Sequence, residues 1–168
     1  MPQMSIADGF VTELEQEAAA TRRVLERMPD DRLSWKPHAK SMSLGQLAMH
    51  VALIPDRVSE MLSADLSAPP AGGQPEAMSR AELMEVHATS LAAGKARLQG
   101  WSDEHMMATW TFSVGGRTLM SAPRAGMARM IMFNHLYHHR GQLQVYLRLL
   151  EIPVPSVYGP TADENPFM

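Results

Sequence analysis

Apolar positions in this chain fall into four stretches of helical period. Ile6, Phe10, Leu14, Ala18, Thr21, Leu25 and Met28 recur at spacings of three and four, which predicts a helix from about Ser5 to Met28, ended by Pro29-Asp30-Asp31. Leu47, Val51, Ile54, Val58, Met61 and Leu62 mark a second helix. Its start is Ser43-Leu44-Gly45-Gln46, a capping box in which the serine accepts from an amide of the first turn and the glutamine reaches back. Pro55 inside this pattern removes the bond to the Val51 carbonyl and predicts a kink or an early end. Ser79-Arg80-Ala81-Glu82 is a second such box, opening a helix through Leu83, Val86, Leu91 and Leu98 to near Gly100. A fourth pattern lies between Pro123 and Pro153, with Ser121 as the expected cap, Pro123 in the first turn and a length of ~40 Å.

Two stretches break the helical period. The Ala/Pro/Gly-rich segment from Ser63 to Ala77 reads as a mobile loop. Thr109-Trp110-Thr111-Phe112-Ser113-Val114 alternates with period two, Gly115-Gly116 is a hairpin turn, and Arg117-Thr118-Leu119 is the expected return strand. The pattern therefore predicts an all-α chain, a single domain over 1–168, built as a four-helix bundle with a short hairpin before the last helix.

Composition narrows the function classes. A formal charge of −3 without basic clusters argues against nucleic acid as a partner. Zero cysteines exclude disulfides, thiolate-bound zinc and a cysteine nucleophile, and fit a cytoplasmic protein. The opening Met-Pro-Gln-Met-Ser has neither the basic nor the apolar region of a secretory signal. No apolar run approaches the ~18 residues of a membrane span, so no membrane partner is expected. The 15 methionines, spread over helical positions, read as adaptable core filler.

The chemistry concentrates in His135-Leu136-Tyr137-His138-His139-Arg140-Gly141-Gln142. Residues four apart share a helix face, so His135 and His139 project side by side while His138 points elsewhere. At ~100° per residue, Ile131, Met132, Gln142, Leu143, Tyr146, Leu149 and Leu150 fall in the same arc, whereas Arg129, Arg140 and Arg148 fall well away from its centre. An arbitrary helical pair of this kind is more often a pair of core histidines bonded to carbonyls or hydroxyls. A third ligand would change that balance. Of the seven histidines, His50 and His87 lie on the inward faces of the second and third helices, and periodicity does not choose between them. His38 and His105 lie in connectors, where solvation or local bonding is expected. Three neutral imidazoles suit zinc, nickel or iron(II) and leave a coordination position open, the pattern of a catalytic rather than a structural site.

Several stretches, in this order, resemble the DinB-like (YfiT-like) family of metalloenzymes. Leu33-Ser34-Trp35-Lys36-Pro37 precedes Ser43-Leu44-Gly45-Gln46-Leu47-Ala48-Met49-His50 as that family's Trp-Pro connector precedes its first histidine. His135 to Gln142 is similar to its last-helix motif, and Val154 to Glu164 to its tail. The resemblance, spanning about Ile6 to Glu164, implies a DinB-type bundle, often a homodimer, with a metal triad of His50, His135 and His139. His87 becomes a core or cavity-lining residue. It also implies a low-molecular-weight thiol as cofactor, because some relatives resemble thiol S-transferases or a thiol-dependent isomerase. A metal with an open position deprotonates a coordinating thiol, and this chain has none of its own.

The leading expectation is thus a metal-dependent thiol S-transferase acting on a small molecule. Arg57 is the candidate for holding the thiol's carboxylate, against its ordinary role as a solvent-facing arginine. Gln46 and Gln142, each within a turn of a ligand, are candidates to orient the histidines. Metal-hydroxide hydrolysis is the alternative, weakened because no inward carboxylate beside the histidines is evident. The non-catalytic alternative is a stress-associated metal- or ligand-binding protein.

Overall fold

Three of the long helices begin on a serine that takes up their first free amides. In the computed structural model, which describes residues 4–64, 66–67 and 73–168, these are α1 (Ile6–Leu25), α2 (Leu44–Ser63) and α3 (Arg80–Gln99). Ser43 and Gln46 form the full capping box read from the sequence, and Ser5 with Asp8 forms another that the apolar pattern did not disclose. At α3 the box is half made. Ser79 accepts from the Glu82 amide at 3.1 Å, but the Glu82 carboxylate takes the Met78 amide at 2.6 Å instead of that of Ser79.

The last long helix is composite. α5 (Arg124–Ala128) runs through a π-helical turn (Arg129–Asn134) into α6 (His135–Leu149). A short α4 (Asp103–Met107), which contains His105, replaces the connector expected there. Ser121 does not cap the helix. It lies inside a strand, because β3 (Arg117–Pro123) continues four residues past the expected return and hands over to α5 directly at Pro123. β3 pairs antiparallel with β2 (Thr109–Val114), which pairs parallel with the two-residue β1 (Leu66–Ser67). Gly115 and Gly116 turn the hairpin at φ 57° and 78°, a pair of left-handed conformations that side chains disfavour. Residues 65 and 68–72 of the segment read as a mobile loop lie outside the described residues.

Pro55 does not end α2, which runs on to Ser63. The neighbouring α3 fills the gap that the proline opens. Asp56 N–H donates to Ser90 Oγ at 3.0 Å, and Arg97 donates to the Asp56 carbonyl at 3.2 Å while pairing with its carboxylate. Gly94 lets the helices meet there: a Cβ at that position would stand 2.7 Å from the Pro55 carbonyl oxygen.

The core lies among α1, α2, α3 and α6, with Leu14, Leu47, Leu83, Leu98, Phe133 and Leu143 fully buried. Trp110 is buried too, and its indole N–H donates to the Met61 carbonyl at 3.2 Å, pinning the hairpin to the end of α2. Arg124 closes that end by donating to the Leu62 and His105 carbonyls, both at 2.6 Å. One expectation for α6 is corrected. Leu149, placed on the inward arc, is exposed. Arg140 lies off that arc but does not face water: it is buried against α1, where it pairs with Glu17 at 2.7 Å and donates to Thr21 Oγ1 at 3.1 Å. The tail from Val154 to Glu164 wraps over this side, with Asp163 on Arg148 and Glu164 on Arg23 and Arg27. Among the described residues no helix is long and apolar enough to cross a membrane.

Candidate metal centre

The Trp-Pro connector sets the start of α2 against α6. Trp35 meets Tyr146 edge-on at 5.6 Å between ring centres, and its carbonyl accepts from Leu44 N–H at 2.9 Å. The Leu33 carbonyl takes Gly45 N–H at 2.7 Å, so the chain before the helix satisfies two of its free amides. Glycine eases this approach at position 45: a Cβ there would crowd the Leu33 oxygen at 3.1 Å and that of Ala77 at 3.2 Å. On α6 the preceding π turn inserts an extra residue into the helical repeat, which resets the face on which His135 and His139 stand.

These supports bring three histidines together. Ring centres lie 4.9 Å apart for His50 and His135, 4.6 Å for His50 and His139, and 4.5 Å for His135 and His139. The ligand-capable nitrogens all fall within 4.8 Å of one another, and Nε2 of His50 is 3.1 Å from Nε2 of His135. Two imidazoles binding one ion at ~2.0–2.1 Å place their nitrogens ~3.0–3.4 Å apart, so the pair already has the required spacing. All three rings are half-buried.

Two of the three rings have an acceptor outside the centre. His139 Nδ1 lies 2.7 Å from Gln142 Oε1, an acceptor for its N–H. His135 donates to the Ile131 carbonyl. One turn before His50, Gln74 Nε2 donates at 3.5 Å to the Gln46 carbonyl. With the His135 and His139 N–H groups engaged outside, the inner nitrogens of these two rings carry lone pairs, and the 3.1 Å between His50 Nε2 and His135 Nε2 suits either a shared proton or a shared cation. The electrostatics agree. Burial, then the His139, His135 and Arg57 charges, push the His50 pKa down to about 4. Burial is also the main cause of the lowered values of His135 and His139. At neutral pH the cluster therefore presents neutral imidazoles, the form that binds borderline metals.

Other residues singled out in the sequence take different places. Arg57 is exposed and acts on His50 through its charge. The Gln46 side-chain oxygen accepts from Ser43 N–H at 3.0 Å, so it serves the helix cap and not a histidine. His87 stands apart, buried between α3 and α1 with Nε2 3.2 Å from the Ala18 carbonyl. His138 is exposed, its ring 4.8 Å from that of His139. His38 accepts from the Lys40 amide at 3.1 Å, a local bond as expected. The contact of Gln74 with the Gln46 carbonyl was missed, because nothing in a Pro/Gly-rich stretch signals a partner 28 residues upstream.

A family model for the DinB family matches residues 1–165. The chain belongs to the DinB family. It is 27% identical over 158 residues to the uncharacterised protein YrdA of Bacillus subtilis strain 168, covering 94% of this chain and 90% of that one. Among solved structures, a DinB-like protein from Bacillus cereus ATCC 10987 superposes with a TM-score of 0.67 at 23% identity, covering 90% of this chain and 97% of its own. The DinB-like protein YjoA of B. subtilis gives 0.64 at 20% identity, with 92% and 96% covered. At these identities the two structures speak to the fold alone.

Proposed function

We propose that this DinB-family protein is a metal-dependent thiol S-transferase, with His50, His135 and His139 as the protein ligands of zinc, nickel or iron(II). The observation that carries the reading is the convergence of three half-buried imidazoles whose ligand-capable nitrogens all lie within 4.8 Å of one another. A divalent metal held there would supply Lewis acidity, lowering the pKa of a coordinating thiol so that it is a nucleophile at neutral pH. The chain does the rest. The three histidines fix the ion, and Gln142 and the Ile131 carbonyl hold two of the rings in one tautomer. Arg57 stands exposed near His50, where its charge can receive a carboxylate of the incoming thiol.

In the transfer, sulfur forms a bond to an electrophilic carbon, the leaving group departs with the bonding pair, and the thiol proton passes to solvent. Among the described residues the cluster holds no carboxylate, which favours thiol chemistry over the general-base hydrolysis that is its competitor. The thiol is a low-molecular-weight one from the cytoplasm, where such thiols are kept reduced. The homodimer implied by the family resemblance belongs to the same reading and is checked by sedimentation.

The test begins with elemental analysis of protein purified without a metal-affinity tag. A stoichiometric divalent metal is expected, and a clear sub-stoichiometric result from metal-replete medium overturns the reading. Conjugation is then assayed with glutathione, bacillithiol and mycothiol against a model electrophile. Turnover should vanish in His135→Ala with the fold intact. Ester cleavage without any thiol would select hydrolysis instead, and metal without turnover on any thiol would leave a binding protein.

A further inference from the structure

Of the seven histidines, His87 is the most deeply buried, only 4% exposed, and it takes no part in the metal centre. It stands on the face of α3 that carries Leu83, Ser90, Gly94 and Leu98, all buried, and its ring reaches α1. There Nε2 lies 3.2 Å from the Ala18 carbonyl. A carbonyl oxygen only accepts, so Nε2 carries the proton and Nδ1 the lone pair. Nδ1 is buried and has no hydrogen-bond partner among the described residues. An unmet buried acceptor weakens the fold that contains it.

Protonation does not relieve this. It turns Nδ1 into a donor that faces no acceptor, and it places a charge in the core. The carboxylates of the neighbouring elements are already engaged. On α1, Glu15 pairs with Lys95 of α3, Glu17 with Arg140 of α6 and Glu26 with Arg22. On α2, Asp56 pairs with Arg97 of α3. On α3 itself, Glu82 takes the Met78 amide and Glu85 is exposed. The nearest cation is like-charged: Arg22 stands one turn beyond Ala18 on α1. Burial is the main cause that holds the His87 pKa below its ordinary value. The Ala18 bond pulls the other way, and the Arg22 charge adds to the lowering.

We infer that His87 is an acid-sensitive latch between α1 and α3, closed by its bond to the Ala18 carbonyl while the ring is neutral and opened when Nδ1 takes up a proton. The detached ring binds that proton near pH ~6.5, the docked ring only at lower pH. The latch is therefore fully closed above pH ~6.5 and weakens as pH falls towards the docked value. For one proton, the opening constant rises by up to about tenfold per pH unit in that window. Opening carries Glu17 and Thr21 of α1 away from Arg140, on the helix that bears His135 and His139. The latch uses none of the three metal ligands and stands whether or not they hold a metal.

The experiment is amide hydrogen exchange on the full metal-free chain from pH 5 to pH 7.5, in wild type, His87→Gln and His87→Leu. His87→Gln keeps a side-chain N–H for the Ala18 carbonyl but takes no proton, and His87→Leu removes both nitrogens. The two are independent, so one that fails to fold leaves the other to decide. Below pH ~6.5, the protection factors of the α1 amides around Ala18 should fall in wild type relative to either variant, by up to about tenfold per pH unit. At pH 7.5 the ring nitrogens of wild-type His87 should show the Nε2–H tautomer by nitrogen NMR. Equal pH dependence of protection in wild type and the variants overturns the latch. So does a His87 ring that takes up its proton near pH ~6.5 while the protection of α1 is unchanged. An Nδ1–H tautomer at pH 7.5 overturns the bond on which the latch is built.

Discussion

Two of the polar clusters in this bundle, one on each flank of α6, are finished in opposite ways. On the α1 side, Arg140 is surrounded by acceptors: the Glu17 carboxylate at 2.7 Å, the Glu17 carbonyl and Thr21 Oγ1 both at 3.1 Å, and the hydroxyl of Tyr158. Beside it Arg129 makes a two-pronged pair with Glu13, which also accepts from the Tyr137 hydroxyl. Charges are matched there and nearly every donor has its acceptor. On the α2 side, three histidines crowd their ring nitrogens together with no carboxylate among them, Nε2 of His50 only 3.1 Å from Nε2 of His135.

A saturated cluster has nothing left to offer a ligand. Its free energy is spent on holding α1, α6 and the tail in one arrangement. An unsaturated cluster is held in an unfavourable state by the rest of the fold, which is the expected mark of a site. Burial alone does not separate the two, since Arg140 is more deeply buried than any of the histidines. The separating feature is whether the buried groups satisfy one another.

The sharpest way to break the comparison is to remove one member from each cluster. Arg140→Met leaves the Glu17 carboxylate without its charge partner and should cost about 3–5 kcal/mol, the usual loss when one partner of a buried pair is removed. Urea unfolding of the metal-free protein measures it, and a loss below ~1 kcal/mol would show that the arginine cluster is not structural. His135→Ala should do the reverse. Metal affinity should fall by more than the ~10–100-fold typical of an outer partner. The metal-free stability should change by no more than about 1 kcal/mol, because the ring is only half-buried and its loss leaves no buried charge without a partner.

How far this contrast could be read from the sequence depends on how local each signal is. Ser43 with Gln46 announces its cap within four residues, and His135 with His139 share a face by spacing alone. Gly115-Gly116 likewise announces its turn. His50 and His87 looked alike because both face inward. Family resemblance favoured His50, and the structure sets it against α6 while His87 faces α1. Arg140 was placed correctly off the histidine arc, but periodicity gives a direction and not what lies in it, and a charged residue defaults to solvent. Ser121 failed as a cap because a strand pairing with Thr111 competes for it. Gln74 was illegible for a related reason: its partner is set by how the chain returns to α2, and no local pattern encodes that return.

Acid should separate the clusters in a single titration. In the folded metal-free protein, His50 is lowered to about 4, and His135, His139 and His87 are lowered as well, chiefly by burial. Unfolded histidines bind protons near pH ~6.5, so between that pH and the folded values the unfolded chain holds more protons. The histidine contribution is therefore complete above pH ~6.5 and declines as pH falls towards 4. Glu13, held down mainly by Arg129, and Asp163, held down mainly by Arg148, lose their contributions only at lower pH. Stability measured by urea unfolding from pH 7 to pH 3 should fall in two stages. His135→Ala should flatten the upper stage and leave the lower one; a single stage, unaffected by that substitution, would contradict the assignment. Zinc should steepen the upper stage, since protons compete for the same nitrogens.

The smallest effect expected is at the outer edge of the saturated cluster. Tyr158 comes from the tail, and its hydroxyl donates to Glu17 at 2.7 Å while accepting from Arg140. Burial is the first cause and the Glu17 bond the second that raise its pKa to about 12, so the hydroxyl remains a donor throughout the working range. The ring packs over the Arg140 guanidinium at 5.0 Å, and Tyr158→Phe keeps that contact. What is lost is one donor to a carboxylate that Arg140 still neutralises. The cost should therefore be only about 0.5–1.5 kcal/mol, well below that of Arg140→Met. Combined in one chain, the two substitutions should cost less than the sum of their separate losses, because Arg140 and Tyr158 contact each other and share Glu17. Strict additivity in urea unfolding would mean that the tail is attached independently of the arginine. The tail motif would then be held by Asp163, Glu164, the Gln144 bond to the Pro155 carbonyl and the burial of Val154. Zinc affinity should not change in Tyr158→Phe, and a change there would join the two clusters that the structure keeps apart.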